Sequence, residues 1–259
     1  MSNLQHIDRP LILISNDDGV FTAGLHHLVD CVKDLGDVYV VAPDAPRSGQ
    51  SSAITVGMPL RVTRHDDYNG AKIYSVNGTP VDCVKIALHA IVPRRPDLLL
   101  SGINHGPNAG NSILYSGTMG AVLETSMLDI PSVGYSLLDH SLQADFSETL
   151  SYIKDISAKV LAGGLPHRVC LNVNFPANVK IKGLKVVKAA TGHWVEEYVD
   201  YKDPNGKTFY MLTGKYRPDS PDDDTTDIYW LDRGYATVVP AQADQTVAEA
   251  IPAVSELIF

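Results

Sequence analysis

The segment Leu11–Gly19, LILISNDDG, constrains the fold of this chain more than any other stretch. Its run of aliphatic residues leaves no polar face, the pattern of a strand buried on both sides of a parallel sheet. Asn16, Asp17 and Asp18 come immediately after it, and Gly19 closes the turn. In an open α/β sheet, ligands bind beyond the carboxyl ends of the strands. Two adjacent carboxylates there are either a solvated turn or the oxygen ligands of a cation. A hard divalent ion such as Mg²⁺ suits the second reading.

The chain beyond Gly19 repeats the same alternation. Phe21–Leu35 carries Leu25, Leu28, Val29 and Val32 at helical spacing, and Asp37–Pro43 is again a continuous apolar strand. Strand, helix and strand make a right-handed βαβ unit. Gly19-Val20-Phe21-Thr22-Ala23-Gly24 opens the helix without the G-x-G-x-x-G fingerprint, which argues against dinucleotide binding. Further strands are predicted over Ile54–Arg64, Lys72–Val76, Asp97–Ser101, Ile130–Ser136 and Val169–Phe175. Helices are predicted from Thr79-Pro80, from Ser116 through Leu128, and over Phe146–Leu161. Thr79 suits the N-cap, Pro80 the first helical position, and Asp82 the first turn. The fold class is therefore α/β, a mostly parallel sheet between helical layers.

Val169–Phe175 reads as the last strand of that sheet, so the main domain is drawn at residues 1–180. Residues 181–259 read as a C-terminal extension within one structural unit. It holds strands at Leu184–Lys188, Trp194–Tyr201, Thr208–Leu212 and Gly234–Pro240, and a terminal helix at Thr246–Leu257. The long 194–212 hairpin has little core of its own and needs a partner surface. Asp219–Asp227 reads as solvated charge.

Composition narrows the function classes. The 259 residues carry a net charge of −9, which disfavours a nucleic-acid polymer as partner but not a small phosphorylated substrate. Cys31, Cys83 and Cys170 are far apart and suit buried positions in a reducing compartment. The opening MSNLQHIDRP lacks an apolar core, and no apolar run reaches membrane-spanning length. A cytoplasmic protein with no membrane partner is expected.

Three loops should emerge beside one another at the carboxyl end of the sheet: Asp17-Asp18, the loop 43–52 with Ser48, and the loop 102–111 with Asn104, Gly106 and Asn108. A hydroxyl and amide oxygens beside two carboxylates form a hard, oxygen-rich set. Ser116-Gly117-Thr118 at a helix start offers free N–H groups and hydroxyls, an anion cradle or ordinary capping. A cation site beside an anion cradle points to a phosphate monoester. His26, His27 and His89 read as surface or half-buried residues. His105, between Asn104 and Gly106, reads as an exposed loop residue.

The same segments carry a resemblance. ILISNDDG (12–19), VVAPDAPRSGQSSAIT (40–55), NGTPVDCV (77–84), PDLLLSGINHGPNAG (96–110), YSGTMGAVLE (115–124), IPSVGYS (130–136) and TDIYWLDRGYATVVP (226–240) resemble the SurE family of stationary-phase survival proteins, metal-dependent 5′-nucleotidases. The resemblance implies a Rossmann-like three-layer sandwich whose C-terminal hairpin and helix serve a homodimer or homotetramer. It implies one divalent ion, Mg²⁺ or Mn²⁺, on Asp17, Asp18, Ser48 and Asn104. Asn16, Asn104, Gly106, Asn108, Ser116, Gly117 and Thr118 would surround the phosphate, with Asp17, Asp18 and Asn108 catalytic. The implied activity is hydrolysis of nucleoside 5′- and 3′-monophosphates, with some cleavage of polyphosphate, by metal-activated water. Thr125 and Tyr229-Trp230 depart from the family's smaller residues. The alternative from the residues themselves is a receiver-like Mg²⁺-binding signalling module, which needs an acceptor Asp after the third strand and a Lys after the fifth.

Overall fold

A computed structural model of the chain describes residues 9–141 and 143–259. Strand β1 (Leu11–Ser15) is buried along its whole length. It pairs in parallel with β2 (Asp37–Pro43) on one side and β5 (Leu98–His105) on the other. Beyond β2 lie β4 (Lys72–Val76), parallel, and β3 (Val62–Arg64), antiparallel. Beyond β5 come β6 (Ser132–Leu137) and β7 (Cys170–Phe175), both parallel. The sheet then continues through β13 (Ala236–Ala241), antiparallel to β7, and β8 (Leu184–Val186), parallel to β13. The nine-stranded order is β3-β4-β2-β1-β5-β6-β7-β13-β8. The chain winds outward from β1 in one direction and from β5 in the other. The switch point of this doubly wound sheet, where such folds bind ligands, thus lies between β1 and β5.

The side-chain alternation of β1 divides the core. Ile12 and Ile14 pack with Leu25, Leu28 and Val29 of α1 (Ala23–Val32) and with Ile153 and Ile156 of α4 (Leu150–Gly163). Leu11 and Leu13 face Cys83 and Val84 of α2 (Pro80–Ile86) and Met119 and Val122 of α3 (Gly117–Ser126). The expected start of α2 is realised as a capping box: the Thr79 hydroxyl accepts from Asp82 N, and the Asp82 carboxylate accepts from Thr79 N. Glu124 on α3 pairs with Lys85 on α2.

Three expectations are corrected. Of Ile54–Arg64, only the last three residues form a strand. The sheet does not end at β7, because two strands from beyond residue 180 add to its edge. Trp194–Tyr201 is not one strand but two, β9 (Gly192–Val195) and β10 (Tyr198–Lys202). β10 forms a hairpin with β11 (Thr208–Leu212) through the turn at Asp203–Lys207, whereas β9 pairs with β12 (Lys215–Pro218), a strand the sequence pattern did not indicate. Together they make a ribbon standing off the sheet. β10 and β11 are exposed throughout, as is the terminal helix α6 (Ile251–Ile258), which buries none of its residues. Among the described residues no helix is long and apolar enough to cross a membrane.

Candidate active site

A cavity of about 230 Å³ opens at the switch point. Asp17, Ser48, Asn104, Gly106, Asn108 and Ser116 all line it. The three loops predicted to converge therefore contribute to one cavity.

Asp17 is buried at 4% exposure. Its Oδ1 accepts a 2.6 Å hydrogen bond from the Thr118 hydroxyl, and its backbone carbonyl accepts from Arg47 N. The N-terminus of α3 approaches it closely because residue 117 is glycine. A Cβ there would stand 2.8 Å from the Asp17 Cβ and 3.0 Å from Oδ2. Burial pushes the Asp17 carboxyl up to about 6; the Asp18 charge adds to the rise and the Thr118 hydrogen bond opposes it. An anionic Asp17 is thus held in a place that disfavours its charge.

Asp18 accepts at Oδ2 from His105 N, 3.2 Å, and lies 3.0 Å from His105 Nδ1. His105 is not the exposed loop residue expected. β5 continues past the predicted end at Ser101, with a register shift between Ser101 and Asn104, and carries His105 as its last residue. The imidazole is 10% exposed and stands edge-on to Phe146 at 5.2 Å.

Asn104 pairs with Ser136 on β6 and donates Nδ2 to Gly106 O, 2.8 Å, so the hard atom left on its amide is Oδ1. Asn108 is fixed from three directions: its N–H donates to Asn174 Oδ1, its carbonyl accepts from Asn172 Nδ2, and its Nδ2 donates to Ser136 Oγ at 2.7 Å. Ser48 is exposed on the loop after β2. Gly106 sits at φ +105°, and a Cβ there would collide with the His140 ring.

Three expected phosphate contacts are otherwise engaged in this structure. The Asn16 side chain folds onto its own loop, donating to Gly19 O and Thr22 Oγ1 and accepting from Gly19 N. The Thr118 side chain is fully buried and its hydroxyl serves Asp17. The Ser116 hydroxyl caps α3 by accepting from Met119 N at 3.0 Å. The start of α3 therefore offers an anion the Gly117 N–H and the helix dipole, since Met119 N is taken by Ser116 and Thr118 N by Asp17.

Ser112, Tyr115, His140 and Trp194 also line the cavity, and none of them was a candidate site residue from the sequence. Trp194 belongs to the ribbon, whose root is tied to the loop after β5. Asn111 Nδ2 donates to Gly192 O at 2.7 Å, and the Tyr216 hydroxyl donates to Ala190 O at 2.8 Å. Asp227, at the start of α5 (Asp227–Leu231), is fully buried rather than solvated. Its carboxylate accepts from Gly110 N, Ala190 N and Ile228 N, each at 2.8 Å. The rest of the acidic segment is largely solvated, with Asp223 paired to Lys188.

Among the described residues no three His, Cys, Asp or Glu side chains come together as a metal cluster. A cation at the switch point would instead rest on the aspartate pair with a hydroxyl and an amide oxygen. That donor set fits a hard divalent ion, and the buried, proton-seeking Asp17 is the group such an ion relieves.

Comparison with known proteins gives one answer. The family model described as "Survival protein SurE" matches residues 12–196. A protein of Christiangramia forsetii named "5'-nucleotidase SurE" is 49% identical over 243 residues, 92% of this chain and 93% of that one. Its namesake from Phocaeicola vulgatus is 44% identical over 239 residues, with the same coverage. The crystal structure of the SurE protein from Aquifex aeolicus superimposes with a TM-score of 0.82 at 37% identity, covering 96% of this chain and 99% of that one.

Proposed function

The chain belongs to the SurE family, and we propose that it is a divalent-metal-dependent phosphatase acting on nucleoside 5′-monophosphates, with 3′-monophosphates and short polyphosphate as further substrates. One observation carries this reading: Asp17, Ser48 and Asn104 share a cavity with the N-terminal end of α3. Hard cation ligands and an anion-binding helix start thus face the same space. The relatives named 5′-nucleotidase support the substrate class.

In this reading Asp17, Asp18, Ser48 and Asn104 hold one Mg²⁺ or Mn²⁺. A cation bound there supplies charge for the phosphate oxygens and lowers the pKa of a bound water. The backbone N–H of Gly117, at the start of α3, would orient the phosphate, whereas that of Thr118 is already drawn to the Asp17 carboxylate. Thr118 fixes the rotamer of Asp17 through its 2.6 Å hydrogen bond. His105 fixes Asp18 through Oδ2, which would leave Oδ1 to hold the cation. Asn108, locked between β6 and β7, lines the same cavity and has one Nδ2 hydrogen left for the phosphate. Against a receiver-like module stands the end of β5, which brings Asn104 and His105 to the site rather than an acceptor aspartate.

The reading includes a homodimer or homotetramer formed through the C-terminal elements. Its support is the apolar surface of the ribbon (Tyr198, Phe209, Tyr210 and Leu212) and of α6 (Val254, Leu257 and Ile258), all exposed in the single chain. It also includes a cytoplasmic location, consistent with three buried free thiols.

The test is phosphate release from a panel of nucleoside monophosphates, with Mg²⁺, Mn²⁺ or EDTA. Release is expected with either metal and none with chelator. Turnover unaffected by chelation, or none on any nucleotide with either metal, would overturn the assignment.

A further inference from the structure

A phosphate monoester seated between Asp17 and the start of α3 must direct its organic group along the remainder of the cavity. That remainder holds two aromatic side chains, Tyr115 and Trp194. They differ in how firmly they are held. Tyr115 ends a 3₁₀ turn, Gly110–Tyr115, and is 57% exposed. Trp194 is half-buried and stands edge-on to Tyr216, with ring centroids 6.0 Å apart. Tyr216 is itself fixed: its hydroxyl donates to Ala190 O at 2.8 Å and accepts from Asn111 N at 3.4 Å. Behind it, the buried Asp227 carboxylate ties Gly110 N and Ala190 N together. The indole is therefore a braced surface on the wall of the cavity, and it comes from the ribbon rather than from the sheet that carries the candidate ligands.

Resting on the phosphatase reading, we propose that Trp194 is a specificity-determining residue: the nucleobase packs against its indole, so that β9 sets the preference of the site for nucleotides over phosphate monoesters without a base. Every base has a π-face, so a stacking contact favours nucleotides as a class without choosing sharply among bases. A stacked base contributes about tenfold or more in binding. The charged end of the cavity treats all monoesters alike, which leaves this contact to discriminate.

The experiment compares kcat/KM for adenosine 5′-monophosphate with that for ribose 5-phosphate, which lacks the base. The wild-type protein is expected to favour the nucleotide by about tenfold or more. Trp194→Ala should bring that ratio close to one, chiefly through KM for the nucleotide, and Trp194→Phe should restore most of it. Trp230→Phe, which alters a ring packed on Tyr235 and Lys185, should leave the ratio as it was. That variant keeps Trp194 as its only indole, so adenosine 5′-monophosphate should quench its fluorescence saturably and ribose 5-phosphate should not. A ratio unchanged in Trp194→Ala, or equal losses on both substrates, overturns the inference while leaving the phosphatase reading intact. Wild-type protein that releases phosphate from neither compound overturns the phosphatase reading and this inference with it.

Discussion

Replacing Asp17 by Asn should stabilise the metal-free protein while abolishing its chemistry. Burial holds the Asp17 carboxyl at about 6 in the fold, against an ordinary value of 3.8. The folded state thus binds a proton more tightly than the unfolded chain does. Stability from this group is complete below pH 3.8, falls as pH rises, and is gone above about 6. The full loss corresponds to about 3 kcal/mol, or about 6 °C in Tm for a chain of this size. Asparagine is uncharged at every pH, and its Oδ1 can still accept the Thr118 hydrogen bond. In EDTA, Asp17→Asn should melt close to wild type near pH 4 and several degrees higher at pH 7.5, with the gap opening between. Thermal denaturation across that range reads it directly. Mg²⁺ or Mn²⁺ should then raise the wild-type Tm and leave the variant unmoved, and phosphate release should vanish. A Tm gap independent of pH would refute burial as the source of the shift. Full activity in the variant would refute Asp17 as a ligand.

Gly117→Ala should lower phosphate release by about a hundredfold, because its methyl group displaces either Asp17 or the start of α3; its stability should fall by only about 1–3 kcal/mol, so kinetics and denaturation together check it. Asp227→Asn removes one of two acceptor oxygens that hold Gly110 and Ala190. It should cost about 2 kcal/mol and make the loop 107–115 cleavable in limited proteolysis. Charging the ribbon with Phe209→Asp and Leu212→Asp, both exposed on β11, should shift the protein toward a monomer in sedimentation velocity with the fold intact by circular dichroism.

The central sheet was legible because its strands are short apolar runs, and burial on both faces writes that pattern unambiguously. β2 falls over the predicted residues, and α2 begins at its predicted cap. The convergence of Asp17, Ser48 and Asn104 was legible for a related reason, since parallel strands deliver their loops to one edge. The features that escaped depend on contacts between distant residues. Asp227 lies in an acidic run with no periodicity, and its partner Gly110 is 117 residues away. His105 looked exposed because Gly102 and Gly106 flank it at short range, yet β5 runs through the irregularity at Ser101–Asn104 and carries it to Asp18. The resemblance places Asn16 and Thr118 around the phosphate. Either could bind it, but nearer partners take their polar atoms. Trp194 gave no signal, because a ribbon's place beside a cavity is a tertiary fact.

The tie between Gly110 and Asp227 also has a consequence for the order in which the protein matures. All the proposed metal ligands have left the ribosome once the chain has grown well past Asn104, and β1, β2, β4 and β5 can pair soon after. The loop that carries Asn108 stays without its clamp until Asp227 is synthesised. β7 likewise waits for β13 before both its edges are paired. A nascent or truncated chain that lacks Asp227 thus holds the full set of proposed ligands in an unfinished cavity.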